Sequence, residues 1–180
     1  MRALIISGQY VQDQEFVYPL YRLTEAGYAV EVAAPNGANF TGFAGVKCIA
    51  TMDLDFEYRP TVPWDVLIIP GGVKCMEHLR LQKHTVEFIA DYHEQGGVIG
   101  AICSGVQMLI TAKLCKGRSM SAYYAMQADV ENAGANFVDA PAVVDDRIIT
   151  SPHYKYLGQW MAAVLSEVRK HSPRAVDRRA

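Results

Sequence analysis

The sequence lacks an excess of charge of either sign. Its 17 basic and 19 acidic residues give a formal net charge of −2, and the basic cluster near the end consists of Arg174, Arg178 and Arg179. A chain so close to neutral has no field that would attract nucleic acid or an anionic membrane. We therefore expect no nucleic-acid or membrane partner, and we interpret residues 171–180 as a flexible, solvated C-terminal tail.

Long apolar segments are missing as well. The apolar run near the N-terminus has one positive charge and is too short for a signal peptide or a membrane span. No later segment reaches the roughly 18 apolar residues that a membrane-spanning helix needs. These absences predict a cytoplasmic protein.

Cysteine is scarce, and its four copies lack the spacing of zinc sites and dithiol redox motifs. They stand at positions 48, 75, 103 and 115, without a C-x-x-C pair. Structural disulfides are not expected in the cytoplasm, so most of the four should be buried, unreactive thiols. The glycine-rich motifs that bind nucleotides are also absent. We expect neither a metal nor a cofactor.

What the sequence does contain is an alternation of short apolar runs with longer amphipathic stretches. The runs at 3–6, 28–33, 65–69 and 98–102 predict strands, and residues 14–26, 84–95, 106–112 and 157–170 predict helices. Residues 36–50 are typical of a loop or small hairpin, and 142–150 of a strand pair. This order predicts one α/β domain over residues 1–170, built around a mainly parallel sheet. Four histidines fall on predicted helices or the tail and are expected to be solvated: His78, His84, His93 and His171.

Three loops of the predicted sheet carry residues suited to chemistry. Glu15 follows the first strand, Gly71 and Gly72 follow the strand at 65–69, and Cys103 follows the strand at 98–102. The carboxyl ends of parallel strands meet at one edge of a sheet, where ligands bind. A carboxylate, two backbone amides free of side chains and a thiol are therefore predicted to share one cleft.

Cys103 is predicted to lie on a sharp turn between a strand and a helix. The small residues at 100–105 resemble the nucleophile elbow of hydrolases, and a helix start favours a thiolate, so we expect a pKa below neutrality. Plainer interpretations remain open for the other loops. Glu15 could be an exposed carboxylate at a helix start, and Gly71 with Gly72 a simple turn.

These segments together resemble the ThiJ/PfpI superfamily, whose fold is that of class I glutamine amidotransferase domains. The resemblance extends from about residue 2 to 170. Its carriers are the residues at 13–16, 18–23, 68–72, 101–103, 123, 132–134 and 150–151. It implies a three-layer α/β sandwich of the flavodoxin-like type, and a homodimer or a higher homo-oligomer.

The resemblance also implies roles for individual residues. Cys103 would be the nucleophile, and Glu15 a protonated carboxyl that hydrogen-bonds the thiolate. The amides of Gly72 and Ser104 would form an oxyanion hole. The pocket would include three further residues: Gly71, Tyr123 and Glu77.

The sequence departs from the peptidase branch of the superfamily at Ser104, where PfpI-like peptidases carry a histidine. That departure removes the usual base of these peptidases. His153 lies in a segment that lines the same pocket in relatives, so it is a candidate to supply an imidazole from another direction.

Two classes of function follow from these residues. The first is a cofactor-independent, cysteine-dependent hydrolase or lyase that acts on small reactive carbonyls such as methylglyoxal, as glyoxalases and deglycases do, or a PfpI-like intracellular peptidase or amidase. The second is a non-catalytic sensor of oxidative stress, or a chaperone, controlled by oxidation of Cys103.

Overall fold

A seven-stranded sheet forms the centre of the computed structural model, which describes residues 1–55 and 64–171. In chain order the strands are β1 (Arg2–Ile6), β2 (Ala29–Ala34), β3 (Phe40–Thr41), β4 (Lys47–Cys48), β5 (Met52–Asp53), β6 (Val66–Ile69), β7 (Val98–Ile102), β8 (Ser119–Met120), β9 (Asn136–Phe137), β10 (Val143–Asp145) and β11 (Ile148–Ser151). The central sheet has the order β10-β11-β7-β6-β1-β2-β5, and β10 alone pairs antiparallel to its neighbour.

Helices cover both faces of this sheet. They are α1 (Asp13–Glu25), α2 (Val73–Leu79), α3 (Lys83–Glu94), α4 (Val106–Thr111), α5 (Gln127–Asn132) and α6 (Leu157–His171). Helix α1 packs against α6, while α4 packs against both α2 and α3. The predicted three-layer α/β sandwich with a mainly parallel sheet is confirmed.

The three central strands are uniformly apolar because both of their faces are covered. Strands β6 and β7 are completely buried, and β1 is buried except at Arg2. A strand buried on both faces reads as a continuous apolar run rather than an alternating one. Because β1, β6 and β7 pair in parallel, their carboxyl ends lie at one edge of the sheet.

Most predicted elements occur within two residues of their predicted bounds. Residues 36–50 contain the predicted hairpin, β3 with β4, and β10 with β11 is the predicted strand pair. Helix α2 and the small parallel sheet of β8 with β9 were not predicted. Helix α6 reaches His171, and the rest of the predicted tail lies outside the described residues.

The expectation that His93 is solvated is wrong. Its side chain lies at the end of α3 with 8% exposure, and Arg118 Nη2 is 2.8 Å from its Nε2. Burial and the positive charge of Arg118 both lower the pKa of His93. The imidazole therefore accepts a hydrogen bond from the guanidinium as a neutral base.

No helix in the described ranges is long and apolar enough to cross a membrane.

Candidate active site

Cys103 occupies a strained turn directly after β7. Its φ of +57° is left-handed, a conformation that costs energy for any residue other than glycine. A 3-10 turn, Cys103–Gly105, leads into α4, and a Cβ atom on Gly105 would collide with the carbonyl oxygen of Ile69. The predicted sharp strand-to-helix turn with small neighbours is confirmed.

Glu15 points from α1 into the protein interior towards this turn. Its side chain has no exposed surface, and Gly71 N donates a hydrogen bond of 2.8 Å to its Oε2. A Cβ atom on Gly71 would lie 2.5 Å from that oxygen and 2.9 Å from Cys103 Cβ. Only glycine therefore fits at position 71, between the Glu15 carboxyl and Cys103. The two alternatives, an exposed carboxylate at Glu15 and a simple turn at Gly71 and Gly72, are wrong.

Gly72 is constrained in the same way. Its φ is +106°, and a Cβ atom there would lie 2.5 Å from the backbone oxygen of Tyr10. The residue caps α2, so its backbone lies on the cavity wall without a side chain to cover it.

Burial raises the pKa of Glu15 from its ordinary value of 4.5 to about 7. The hydrogen bond from Gly71 and the interaction with Cys103 oppose this rise without cancelling it. Oε1 is buried and has no partner of conventional hydrogen-bond geometry among the described residues. A carboxyl group in this position is able to hold or release a proton near neutral pH.

Burial also raises the pKa of Cys103, to about 12, and the negative charge of Glu15 acts in the same direction. Hydrogen bonds from the Ser104 amide and hydroxyl lower it. The expectation of a pKa below neutrality from the helix start is therefore wrong, because desolvation and the carboxylate outweigh the backbone donors. Glu15 and Cys103 are coupled through the proton that either of them can carry.

A cavity of about 540 Å³ opens above these groups. Six of the predicted site residues line it: Glu15, Gly72, Glu77, Cys103, Tyr123 and His153. Gly71 and Ser104 lie buried behind its wall. The other six lining residues were not among the predicted site residues: Tyr10, Gln12, Phe43, Val73, Lys74 and Tyr154. Within the described ranges, no three His, Cys, Asp or Glu side chains are grouped to hold a metal ion.

His153 enters the cavity from the segment after β11. Its Nδ1 accepts a hydrogen bond of 3.2 Å from the backbone amide of Lys155, so the neutral ring carries its proton on Nε2. Partial burial and the charge of Lys155 lower the pKa of His153, so the ring is neutral at physiological pH. The ring stacks beside Tyr124, with centroids 6.3 Å apart.

The remaining thiols are far less accessible than Cys103. Cys48, Cys75 and Cys115 are each at most 2% exposed, as predicted. Burial raises their pKa values to about 11, 12 and 11 respectively. Cys103 is half-buried and opens to the cavity.

The sequence is similar to the sequences of known proteins. The chain is 35% identical over 169 residues to a deglycase of Thermococcus kodakarensis, a match that covers 94% of this chain and 100% of the relative. It is 34% identical over 161 residues to the deglycase PfpI of Pyrococcus furiosus, covering 89% of this chain and 95% of the relative.

The fold is shared as well. A two-domain protein of Anabaena variabilis, with a DJ-1/ThiJ/PfpI-like and a ferritin-like domain, matches with a TM-score of 0.88 and 31% identity. The match covers 93% of this chain, which spans 48% of that protein. DJ-1 of Schizosaccharomyces pombe has a TM-score of 0.85 at 17% identity, covering 93% and 92% of the two chains.

A sequence model of the DJ-1/PfpI family matches residues 1–167. This range contains β1 with α1, the glycines after β6 and the Cys103 turn, which are the segments that carry the resemblance found in the sequence. The chain belongs to the DJ-1/PfpI family.

Proposed function

We propose that the protein is a cofactor-independent enzyme that uses Cys103 to convert small reactive carbonyls and their adducts, with methylglyoxal as the simplest substrate. One observation carries this proposal: a carboxyl with a pKa of about 7, Glu15, lies against the thiol at the base of an open cavity. A group that titrates near the working pH is the best proton carrier. The relatives named deglycases support the same chemistry.

In the first step the sulfur of Cys103 adds to the aldehyde carbon of methylglyoxal. The thiol proton passes to the Glu15 carboxylate, and negative charge develops on the aldehyde oxygen. The amides of Gly72 and Ser104 are proposed to stabilise this oxyanion. Glu15 then returns the proton to that oxygen, which gives a hemithioacetal and regenerates the carboxylate.

In the second step Glu15 removes the proton from the former aldehyde carbon and delivers it to the neighbouring carbon. The hydroxyl proton moves from the first oxygen to the second, so the product is a lactoyl thioester on Cys103. Water then hydrolyses the thioester to lactate and restores the thiol. The net reaction is methylglyoxal plus water to lactic acid, without an oxidant or a reductant.

His153 is proposed to act as a hydrogen-bond donor rather than as a base. Because Nδ1 is occupied by the Lys155 amide, the neutral ring offers Nε2–H to the substrate oxygens. His153→Ala should lower kcat/KM for methylglyoxal by roughly 10²-fold, the lower end of the loss for a missing oxyanion donor. His153→Gln retains an N–H donor and should recover most of that loss.

The rate of Cys103 alkylation provides the control for this pair of variants. It should stay near the wild-type rate in both, because His153 does not take the thiol proton. Equal kcat/KM in His153→Ala and wild type would remove His153 from the mechanism, and equal losses in the alanine and glutamine variants would contradict the donor role.

The proposed function itself is tested by incubating the purified protein with methylglyoxal, without glutathione and with a chelator present. We expect many equivalents of lactate per protein chain, since Cys103 and Glu15 supply the nucleophile and the proton carrier. Modification of Cys103 by one equivalent of methylglyoxal, with no lactate released, would contradict the enzyme proposal and favour a non-catalytic role.

A sensor role is the second candidate, and it is favoured by Glu15 Oε1, which has no partner of conventional hydrogen-bond geometry in the part of the chain that the structure describes. Protonated Glu15 would donate a hydrogen bond to a sulfinate on Cys103, which would stabilise the oxidised form. A peptidase role has less support because Ser104, which replaces the histidine of PfpI-like peptidases, is completely buried. A serine hydroxyl does not act as a base near neutral pH.

A further inference from the structure

The imidazole of His153 is held by three neighbouring residues. Its Nδ1 accepts a hydrogen bond of 3.2 Å from the Lys155 amide. The centroid of the Tyr154 ring lies 4.0 Å from that of the imidazole, and the Tyr124 ring lies beside it at 6.3 Å, inclined by 28°. Among the described residues Nε2 has no hydrogen-bond partner, so the Nε2 edge is the one left for a molecule in the cavity.

Lys155 contributes to this arrangement twice. Its backbone amide binds His153, and its ammonium lies 5.5 Å from the centroid of the Tyr124 ring and 4.8 Å from that of Tyr156. Both distances are within the roughly 6 Å of an attractive cation–π contact. Interaction with the two tyrosine side chains raises the pKa of Lys155, so the ammonium stays charged at neutral pH. One lysine therefore binds both the imidazole and the ring beside it.

Tyr124 connects His153 to the Cys103 turn. The preceding residue, Tyr123, donates a backbone hydrogen bond of 3.4 Å to the carbonyl oxygen of Cys103. His153 follows β11, a different segment of the chain, and meets Tyr124 through the ring contact. The segment of Tyr123 and Tyr124 therefore sets the place of the imidazole relative to the nucleophile.

Neither Tyr124 nor Lys155 lines the cavity. They do not touch a molecule bound there, so their effect on the reaction passes through His153. A hydrogen-bond donor stabilises an oxyanion from about 2.7–3.1 Å, and misplacement of a catalytic group by about 1 Å can cost roughly 10²-fold in rate. A half-buried imidazole with a single hydrogen bond of its own needs the ring contacts to stay within that range.

We propose that Tyr124 and Lys155 are positioning residues for His153, and that they form a clamp which holds the Nε2 edge of the imidazole towards the cavity at a fixed place relative to Cys103. The proposal rests on the proposed function, in which His153 donates a hydrogen bond to the substrate oxygens. Without the clamp the imidazole turns away from the site for most of the time. The donor acts on the developing oxyanion, so kcat and kcat/KM fall together while KM changes little.

A double-mutant cycle tests whether the clamp acts through His153. Tyr124→Ala should lower kcat for methylglyoxal by roughly tenfold, less than the loss in His153→Ala because the imidazole is still present. In a protein that already carries His153→Ala, the same change should cost less than about twofold. Tyr124→Phe keeps the ring beside His153 and should retain most of the activity.

The pKa of His153, followed through its Cε1 proton in an NMR titration, reports on the clamp without turnover. Partial burial and the charge of Lys155 lower this pKa from its ordinary value of 6.5. Tyr124→Ala exposes the imidazole and Lys155→Met removes the charge, so both variants should raise the pKa towards 6.5. Lys83→Met is the matched control, because Lys83 is an exposed lysine of α3 that pairs with Glu87 and does not line the cavity. It should leave the pKa of His153 as in the wild type.

Two outcomes would overturn the proposal: equal losses of kcat from Tyr124→Ala with and without His153, or a His153 pKa that is unchanged in both Tyr124→Ala and Lys155→Met. The side chain of Lys155 is exposed, so Lys155→Met decides the question even where Tyr124→Ala fails to fold. The titration also separates this proposal from the function on which it rests. A protein that releases no lactate but shows both pKa changes would contradict the enzyme proposal and leave the clamp in place.

Discussion

Turnover of methylglyoxal should fall by about 10³-fold or more when Cys103 is replaced by serine, because catalysis would lose its nucleophile. The hydroxyl of a serine is far less acidic than a thiol. Transfer of its proton to Glu15, whose pKa is about 7, is therefore much less favourable than transfer of the thiol proton. The left-handed turn and the cavity should persist, since serine differs from cysteine by a single atom. The measurement is the initial rate of lactate release.

Cys115→Ala is the control for this loss. Cys115 is 1% exposed and does not line the cavity, so its variant should keep turnover within about twofold of wild type despite a small loss of packing. Brief alkylation of the wild type should label Cys103 before the three buried thiols. Retention of a tenth or more of the activity in Cys103→Ser would exclude covalent catalysis by this residue.

The sequence was sufficient to predict the central part of the site because that part depends on chain topology. The apolar run at 98–102 predicts β7 with its observed bounds. Strands β7, β6 and β1 lie side by side and run parallel in the central sheet. Their carboxyl ends must then meet. The close approach of Glu15, Gly71 and Cys103 follows from that rule together with the absence of side chains on the glycine.

The outer wall of the cavity could not be predicted in this way. Helix α2 has only seven residues and starts directly after a glycine turn, so its apolar periodicity is too short to recognise. Because α2 was not predicted, the sequence did not indicate that Lys74 and Glu77 share one face of a helix. Phe43 reaches the cavity from the hairpin of β3 and β4, a long-range contact that no local pattern encodes.

Protonation states were the least predictable property. Position at a helix start suggested a low pKa for Cys103, yet burial and the Glu15 charge raise it. A position on a helix likewise suggested a solvated His93, yet Arg118 and burial hold it neutral. In both cases the environment that decides the pKa comes from residues distant in the sequence.

Glu15→Gln should lower kcat/KM by about 10²-fold to 10⁴-fold, the range for loss of a general acid–base group. Glutamine keeps an oxygen that can accept the Gly71 hydrogen bond, but it cannot carry a proton. In the wild type, Cys103 alkylation should rise with pH through about 7, as Glu15 ionises and becomes able to accept the thiol proton. The variant should lack this midpoint. A midpoint near 7 that persists in Glu15→Gln would assign it to another group.

The same variant should change how stability depends on pH. The pKa of Glu15 is about 7 in the folded protein and has an ordinary value of 4.5, so the folded state binds the proton more tightly. Its contribution to stability is full below pH 4.5 and is lost as the pH rises through about 7. The shift of about 2.5 units corresponds to roughly 3 kcal/mol.

Denaturant unfolding at pH 5 and pH 8 measures this effect as the difference between wild type and Glu15→Gln. Relative to wild type, the variant should gain roughly 2 to 3 kcal/mol in its free energy of unfolding between the two pH values. His93, whose lowered pKa gives the opposite pH dependence, contributes equally to both proteins and cancels. Glu25→Gln, an exposed position at the end of the same helix, should show little change. A difference between wild type and Glu15→Gln that is the same at both pH values would mean that Glu15 is already ionised at pH 5, and the carboxyl could not then serve as the proton carrier for Cys103.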